Sequence, residues 1–223
     1  MGNKRMEKLI TERDFPYLPP FFYNNALALR CELSKGTKRS AIKRAREVFA
    51  LLFDGAPDAL VFDYCLFDLS GSGEAEEKAF DHPGEAEAVN AGYVRDVTRI
   101  TRFLLDYQLK YRHTVIKNTP SVLNEEDGLV LHNRVICYSD GKGFDNEKLI
   151  KQCVDDRFDP EIGFVSFENE CVLRIYDDRG CDIVFADEAK FLEFYPKLEP
   201  YFLDHDRVLM EERKKQAELR IKA

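Results

Sequence analysis

The apolar residues of this chain change their period several times, and each change marks an element. From Ala26 to Leu33 the residues Leu27, Leu29, Cys31 and Leu33 recur every second position, which predicts one face of a strand, ended by Gly36. Between Thr37 and Phe53 the spacing becomes helical. Ala41, Ala45, Val48, Phe49 and Leu52 share one side, and Lys38, Arg39, Lys43, Arg44 and Arg46 cover the remainder. Gly55 and Pro57 stop that helix, and the nearly unbroken apolar run Ala59 to Phe67 predicts a strand buried on both faces. Upstream, Pro16, Pro19 and Pro20 predict an extended, non-helical lead-in from Phe15 to Asn25, because each proline lacks a donor and restricts its predecessor.

The centre of the chain is less ordered in pattern. Ser, Gly, Glu and Ala dominate from about 69 to 92, which predicts an exposed insertion, followed by a helix from Tyr93 to Leu105. Strands are expected over Leu109 to Ile116 and Leu129 to Tyr138, then a Gly141-Lys142-Gly143 turn and a short helix from Asn146 to Val154. The last third reads as a hairpin of Phe164 to Phe167 with Cys171 to Tyr176 across Asn169. A turn over Asp177 to Gly180 leads to a strand from Cys181 to Ala186. If that turn is a four-residue loop, Tyr176 faces Cys181 and Cys171 faces Ala186, too far along the ladder for Cys171 and Cys181 to bond. Asp187 is placed to cap a helix through Tyr195, and a charged helix follows from about Leu203 to the end. Strands and helices mingle without a βαβ rhythm. The expectation is therefore a single α+β domain over 1–223, a largely antiparallel sheet packed with helices and closed by a C-terminal helix.

Composition agrees with a globular chain: 223 residues, 44% hydrophobic, rich in Phe and without Trp. The mixed charges of the first fourteen residues predict no export signal, and the longest apolar run, Val48 to Phe53, is far short of the roughly 20 residues that a membrane helix needs. A cytoplasmic protein is expected. Its six cysteines have no metal spacing and are read as reduced thiols.

The formal charge of −8 opposes binding to nucleic acid, but it is unevenly spread. Residues 1–50 hold 11 basic against 5 acidic residues, and residues 155–212 hold 6 basic against 17 acidic. Such ends either attract each other within the fold or offer an acidic surface to a basic partner. Arg39, Lys43 and Arg46 lie on one side of the predicted basic helix without any nucleic-acid module beside them, so an ordinary solvated face is the expectation there.

Gly71-Ser72-Gly73 and Gly141-Lys142-Gly143 lack the spacing of nucleotide-binding loops, and no cofactor is expected. The densest cluster is Tyr176-Asp177-Asp178-Arg179-Gly180-Cys181-Asp182. Closely placed Asp oxygens suit Mg²⁺, which polarises a phosphate and activates water. A tight turn accounts for the same residues, with Asp177 bonding the turn backbone and Gly180 at positive φ. Asp204-His205-Asp206-Arg207 opens the last helix, where acids suit the helix dipole; His205 is a candidate base or ligand, or a solvated side chain.

The stretch CVLRIYDDRGCDIVFAD, with LDHDR beyond it and FFYNNALALRCELS near the start, resembles an uncharacterised bacterial family known only as a domain of unknown function. The resemblance implies a single-domain cytosolic protein and carries no activity with it; small orphan proteins of this kind often neutralise toxins. The functional expectation is a non-enzymatic protein-interaction module, of immunity type, that holds a basic toxin through an acidic face. Its binding residues would come from Asp155, Asp156, Asp177, Asp178, Arg179, Asp182, Asp204 and His205. The alternative is a metal-dependent hydrolase or phosphoesterase using Asp177, Asp178 and Asp182 with His205.

Overall fold

The computed structural model describes residues 21–67, 112–120, 131–141, 143–155 and 161–222. The chain divides into two compact units, residues 1–61 with 140–223, and residues 62–139. The first unit is α+β. Its sheet runs in the lateral order β1 (Ala28–Glu32), β7 (Gly180–Phe185), β6 (Cys171–Ile175) and β5 (Glu161–Ser166), with the start of β2 (Ala59–Phe67) beyond β5. The pairs β1 with β7, β7 with β6 and β6 with β5 are antiparallel.

Antiparallel alternation sorts these strands into two faces. One carries the row Phe164, Leu173, Ile183 and Leu29, and here Phe49 and Phe53 of α2 (Lys38–Leu52) and its C-cap stack edge-on against Phe164. Phe185 meets Phe191 and Phe194 of α4 (Glu188–Leu198). All of these rings are nearly solvent-free, so truncating one such as Phe164 to Ala costs about 3–5 kcal/mol. The helix starts follow from local chemistry. Thr37, Asp145 and Asp187 accept the backbone N–H of Ser40, Lys148 and Lys190, capping α2, α3 (Asn146–Val154) and α4.

The second unit holds the remainder of β2, then β4 (Leu131–Asp140) and β3 (Arg112–Pro120) in that lateral order. β3 and β4 are antiparallel, with an irregularity between Ile116 and Thr119. The expected insertion at about 69–92 and the expected helix from Tyr93 to Leu105 lie outside the described residues.

Three expectations need correction. The lead-in is not wholly extended, because Phe21–Asn24 forms a one-turn helix, α1, starting directly after Pro20, and proline is tolerated at a helix entrance. The turn before β7 is one residue shorter than expected. Tyr176 N–H donates to the Gly180 carbonyl and Gly180 enters the ladder, so Ile175 faces Cys181 and Cys171 faces Phe185. Cys171 and Cys181 are still well apart and both are free thiols. Gly180 is also not among the glycines at positive φ, which are Gly36, Gly55 and Gly143. It is required for closeness instead: a Cβ there would collide with the Tyr176 hydroxyl and sit 2.8 Å from the Cys31 carbonyl oxygen.

Proline position also explains how the chain ends. α4 runs through Pro196 to Leu198, with the proline on its exposed side, and a 3-10 turn follows over Glu199–Tyr201. Phe202 then bridges to Cys31 on the outer edge of β1, and a second 3-10 turn, Asp204–Asp206, leads into α5 (Arg207–Lys222). Among the described residues no helix is long and apolar enough to cross a membrane.

Candidate functional site

The face of the sheet opposite the Phe164 row carries a row of charges across three strands. Arg30 of β1 stands opposite Asp182 of β7, and Asp182 stands opposite Arg174 of β6. Asp182 is almost fully buried. Its Oδ1 accepts from Arg30 Nε at 2.8 Å, and its Oδ2 accepts from Arg30 Nη2 at 3.2 Å and from the Phe22 backbone N–H at 3.0 Å. Both oxygens are therefore engaged, in the bidentate geometry that suits a guanidinium.

A second buried carboxylate completes the cluster. Asp206 Oδ2 lies 3.3 Å from Arg30 Nη1, placed there by the 3-10 turn that precedes α5. Arg213, one side of α5 further on, is itself buried; it donates to the carbonyls of Ala28 at 3.0 Å and Phe22 at 2.7 Å. The Arg30 guanidinium lies over the rings of Phe22 and Tyr23, and that of Arg213 over Phe22. Arg174 lies over Phe21. Burial opposes the charge of Arg30, but the hydrogen bond and the charge of Asp182 outweigh it and raise its pKa overall. Burial lowers that of Arg213, partly offset by Asp206 and Asp182. Tyr176 is pushed up by burial and then by Asp182.

This cluster ties three distant parts of the chain together: α1 with β1, β7, and the entrance to α5. Arg30 and Arg213 gather around Asp182 and Asp206, with Arg174 opposite Asp182 on β6, and removing one member of such a buried set is strongly destabilising, by about 3–5 kcal/mol. Its chemistry is that of a brace.

The expected site residues are not brought together. Asp177 closes the turn, its Oδ1 accepting the Arg179 N–H and its Oδ2 the Arg179 Nε, both at 2.7 Å. Arg179 is exposed and spends its guanidinium on that carboxylate, and Asp178 is half-buried beside it. Asp155 follows the end of α3 and pairs with Lys38 at 3.0 Å; Asp156 lies outside the described residues. Asp204 is exposed and pairs with Arg207, and His205 is exposed next to it. Among the described residues no group of three or more His, Cys, Asp or Glu is placed to hold a metal ion.

Arg30, Asp206 and Arg213 are the members that the sequence reading did not assign to a site. One signal was available for Arg30, a cation flanked by Leu29 and Cys31 in the middle of a strand, which requires a partner if that strand is buried. Nothing in the spacing of Arg213 distinguishes it from the other charges of α5.

No curated protein and no solved structure matches the chain. The segments that meet at the brace, around Arg30, Asp182 and Asp206, all fall within residues 8–206, which match the domain of unknown function DUF3885, and the chain belongs to that family.

Proposed function

We propose that the chain is a non-enzymatic protein-interaction module of the cytoplasm, of immunity type, which engages a basic protein through acids left exposed by its fold. The observation that carries this reading is the partition of the C-terminal carboxylates. Asp182 and Asp206 are turned inward onto Arg30, Asp177 holds its own turn, and Asp187 caps α4. Lys38 with Asp155, and Arg30 with Asp182 and Asp206, are ion pairs between the basic N-terminal and acidic C-terminal regions, so part of the charge asymmetry is used within the fold.

The acids that remain outward gather where α5 begins. Glu211 and Glu212 are exposed there beside Val208, which keeps 69% of its surface in contact with solvent, while Asp204 pairs with Arg207 at the helix entrance. An apolar residue rimmed by carboxylates suits a basic protein surface, where the charges speed encounter and the apolar contact slows release. The test is affinity purification of the tagged chain from its own cells at low and high salt, beside a Glu211→Lys, Glu212→Lys variant. A basic protein retained at low salt, released at high salt and lost from the variant is the expected result. Recovery of the same proteins with both chains contradicts the reading.

A further inference from the structure

Helices α2 and α3 lie side by side with their charges in register. Lys38 at the start of α2 pairs with Asp155 at the end of α3, and Arg46 pairs with Glu147 at the start of α3. The two pairs are about two helical turns apart on each helix, so the helices run antiparallel and residue 151 falls opposite the middle of the α2 strip. That residue is Lys151. The position facing it on α2 is Ile42, so no ion pair forms between the two.

Lys151 instead joins Arg39, Lys43 and Arg46 around an open cleft of about 630 Å³, with Thr37 and Ser40 at its rim. Lys43 has a single distant contact, 3.7 Å, with Glu47 of its own helix, and Arg39 and Lys151 have no anionic partner among the described residues. α2 has no acid in its first turn, so its dipole adds to the positive potential. Its end is already capped: Thr37 Oγ1 accepts the Ser40 N–H, and the Ser40 hydroxyl donates to backbone carbonyls. Recognition in the cleft therefore falls to Arg39, Lys43 and Lys151, with Arg46, already paired to Glu147, at the far end. Such a cluster opposes folding when empty and is relieved by an anion.

We propose that this cleft binds a small oligophosphate, a molecule with two or more linked phosphate groups. Arg39 and Arg46 are about 10 Å apart along the helix axis, longer than one phosphate and suited to two or three in a row. The cleft is small, and the chain as a whole carries a formal charge of −8. That favours a short ligand over a nucleic-acid strand. The site is separate from the acidic surface at α5.

Titration calorimetry of the full chain with sodium tripolyphosphate tests this, with inorganic phosphate, sulfate and a short single-stranded RNA at equal ionic strength. Saturable one-to-one binding of tripolyphosphate, about tenfold or more tighter than inorganic phosphate, is expected. Lys151→Glu should abolish it and, by relieving the repulsion among the clustered cations, raise the melting temperature. Lys215→Glu, the same charge change on the exposed side of α5, should alter neither. If Lys151→Glu does not fold, Lys151→Gln supplies the binding comparison. The proposal is overturned by absence of saturable tripolyphosphate binding, by RNA binding that tripolyphosphate does not displace, or by equal losses in the Lys151 and Lys215 variants.

Discussion

Arg30 and Asp182 face each other directly across β1 and β7, joined by two hydrogen bonds from one guanidinium to one carboxylate. The pair is desolvated on the sheet, so either charge left alone is held where water cannot reach it. Arg30→Met and Asp182→Asn should each lower the unfolding free energy by about 3 kcal/mol or more. The double variant should be less damaged than their sum, giving a coupling of about 1–3 kcal/mol in urea denaturation. Additive losses would mean that the two side chains act independently.

Gly180 is explained by its neighbour Tyr176, whose hydroxyl occupies the space a side chain would need. Gly180→Ala should destabilise the protein by about 1–3 kcal/mol through overpacking. Tyr176→Phe, which removes the colliding oxygen, should return part of that loss in the double variant. Denaturation midpoints decide it; an equal penalty with and without the Tyr176 hydroxyl would place the collision at the Cys31 carbonyl instead.

Those two residues also show what was legible in the sequence. Elements with a clean period lie nearly to the residue where the apolar spacing and the caps place them, as α2, β2, α3 and β6 do, whereas β5 begins at Glu161, three residues before the expected Phe164. The turn chemistry of Asp177 was legible because an Asp side chain reaches its own backbone two residues on. The register beyond it was not, since a loop of three residues and one of four use the same Asp and Gly, and the observed one is marked by the Tyr176 N–H bonding the Gly180 carbonyl, which no local spacing encodes. The role of Asp182 was misassigned for a related reason. In sequence it is the last acid of a cluster with Asp177 and Asp178, whereas in space its partners are Arg30 and Phe22, more than 150 residues earlier. Long-range pairing of this kind leaves no local spacing to read.

The cysteines give a prediction with a defined pH range. Cys31 faces Cys181 across β1 and β7, and both are fully buried free thiols, as are Cys153 and Cys171. Burial pushes Cys153 up to about 12 from an ordinary value near 9, and Cys181 is raised by a hydrogen bond with Cys31 and by burial. A raised value means that the folded state keeps the thiol proton. The stability this represents is complete below about pH 9 and is lost as pH rises from there toward about 12. Native protein at pH 8 should therefore react with a thiol reagent far more slowly than denatured protein, which should titrate six thiols without reductant. A native reaction as fast as the denatured one, or markedly fewer than six groups, would contradict this. Urea midpoints should fall between pH 9 and pH 11.

The Tyr-Asp-Asp-Arg-Gly-Cys-Asp segment holds the fold, with Asp177 closing its turn and Asp182 anchoring Arg30. Among the described residues its carboxylates are not grouped with two further ligands around a shared cation. Thermal unfolding in increasing Mg²⁺ and Mn²⁺ tests this most directly, applied to the parent chain, Asp178→Asn and Asp182→Asn. A bound cation raises the melting temperature by mass action, in proportion to the logarithm of its concentration well above Kd. The expected result is no metal-dependent rise in any of the three, a large loss of stability in Asp182→Asn, and a change within about 0.5 kcal/mol in Asp178→Asn. A metal-dependent rise in the parent that Asp178→Asn abolishes, with metal-dependent phosphoesterase activity lost in the same variant, would contradict it.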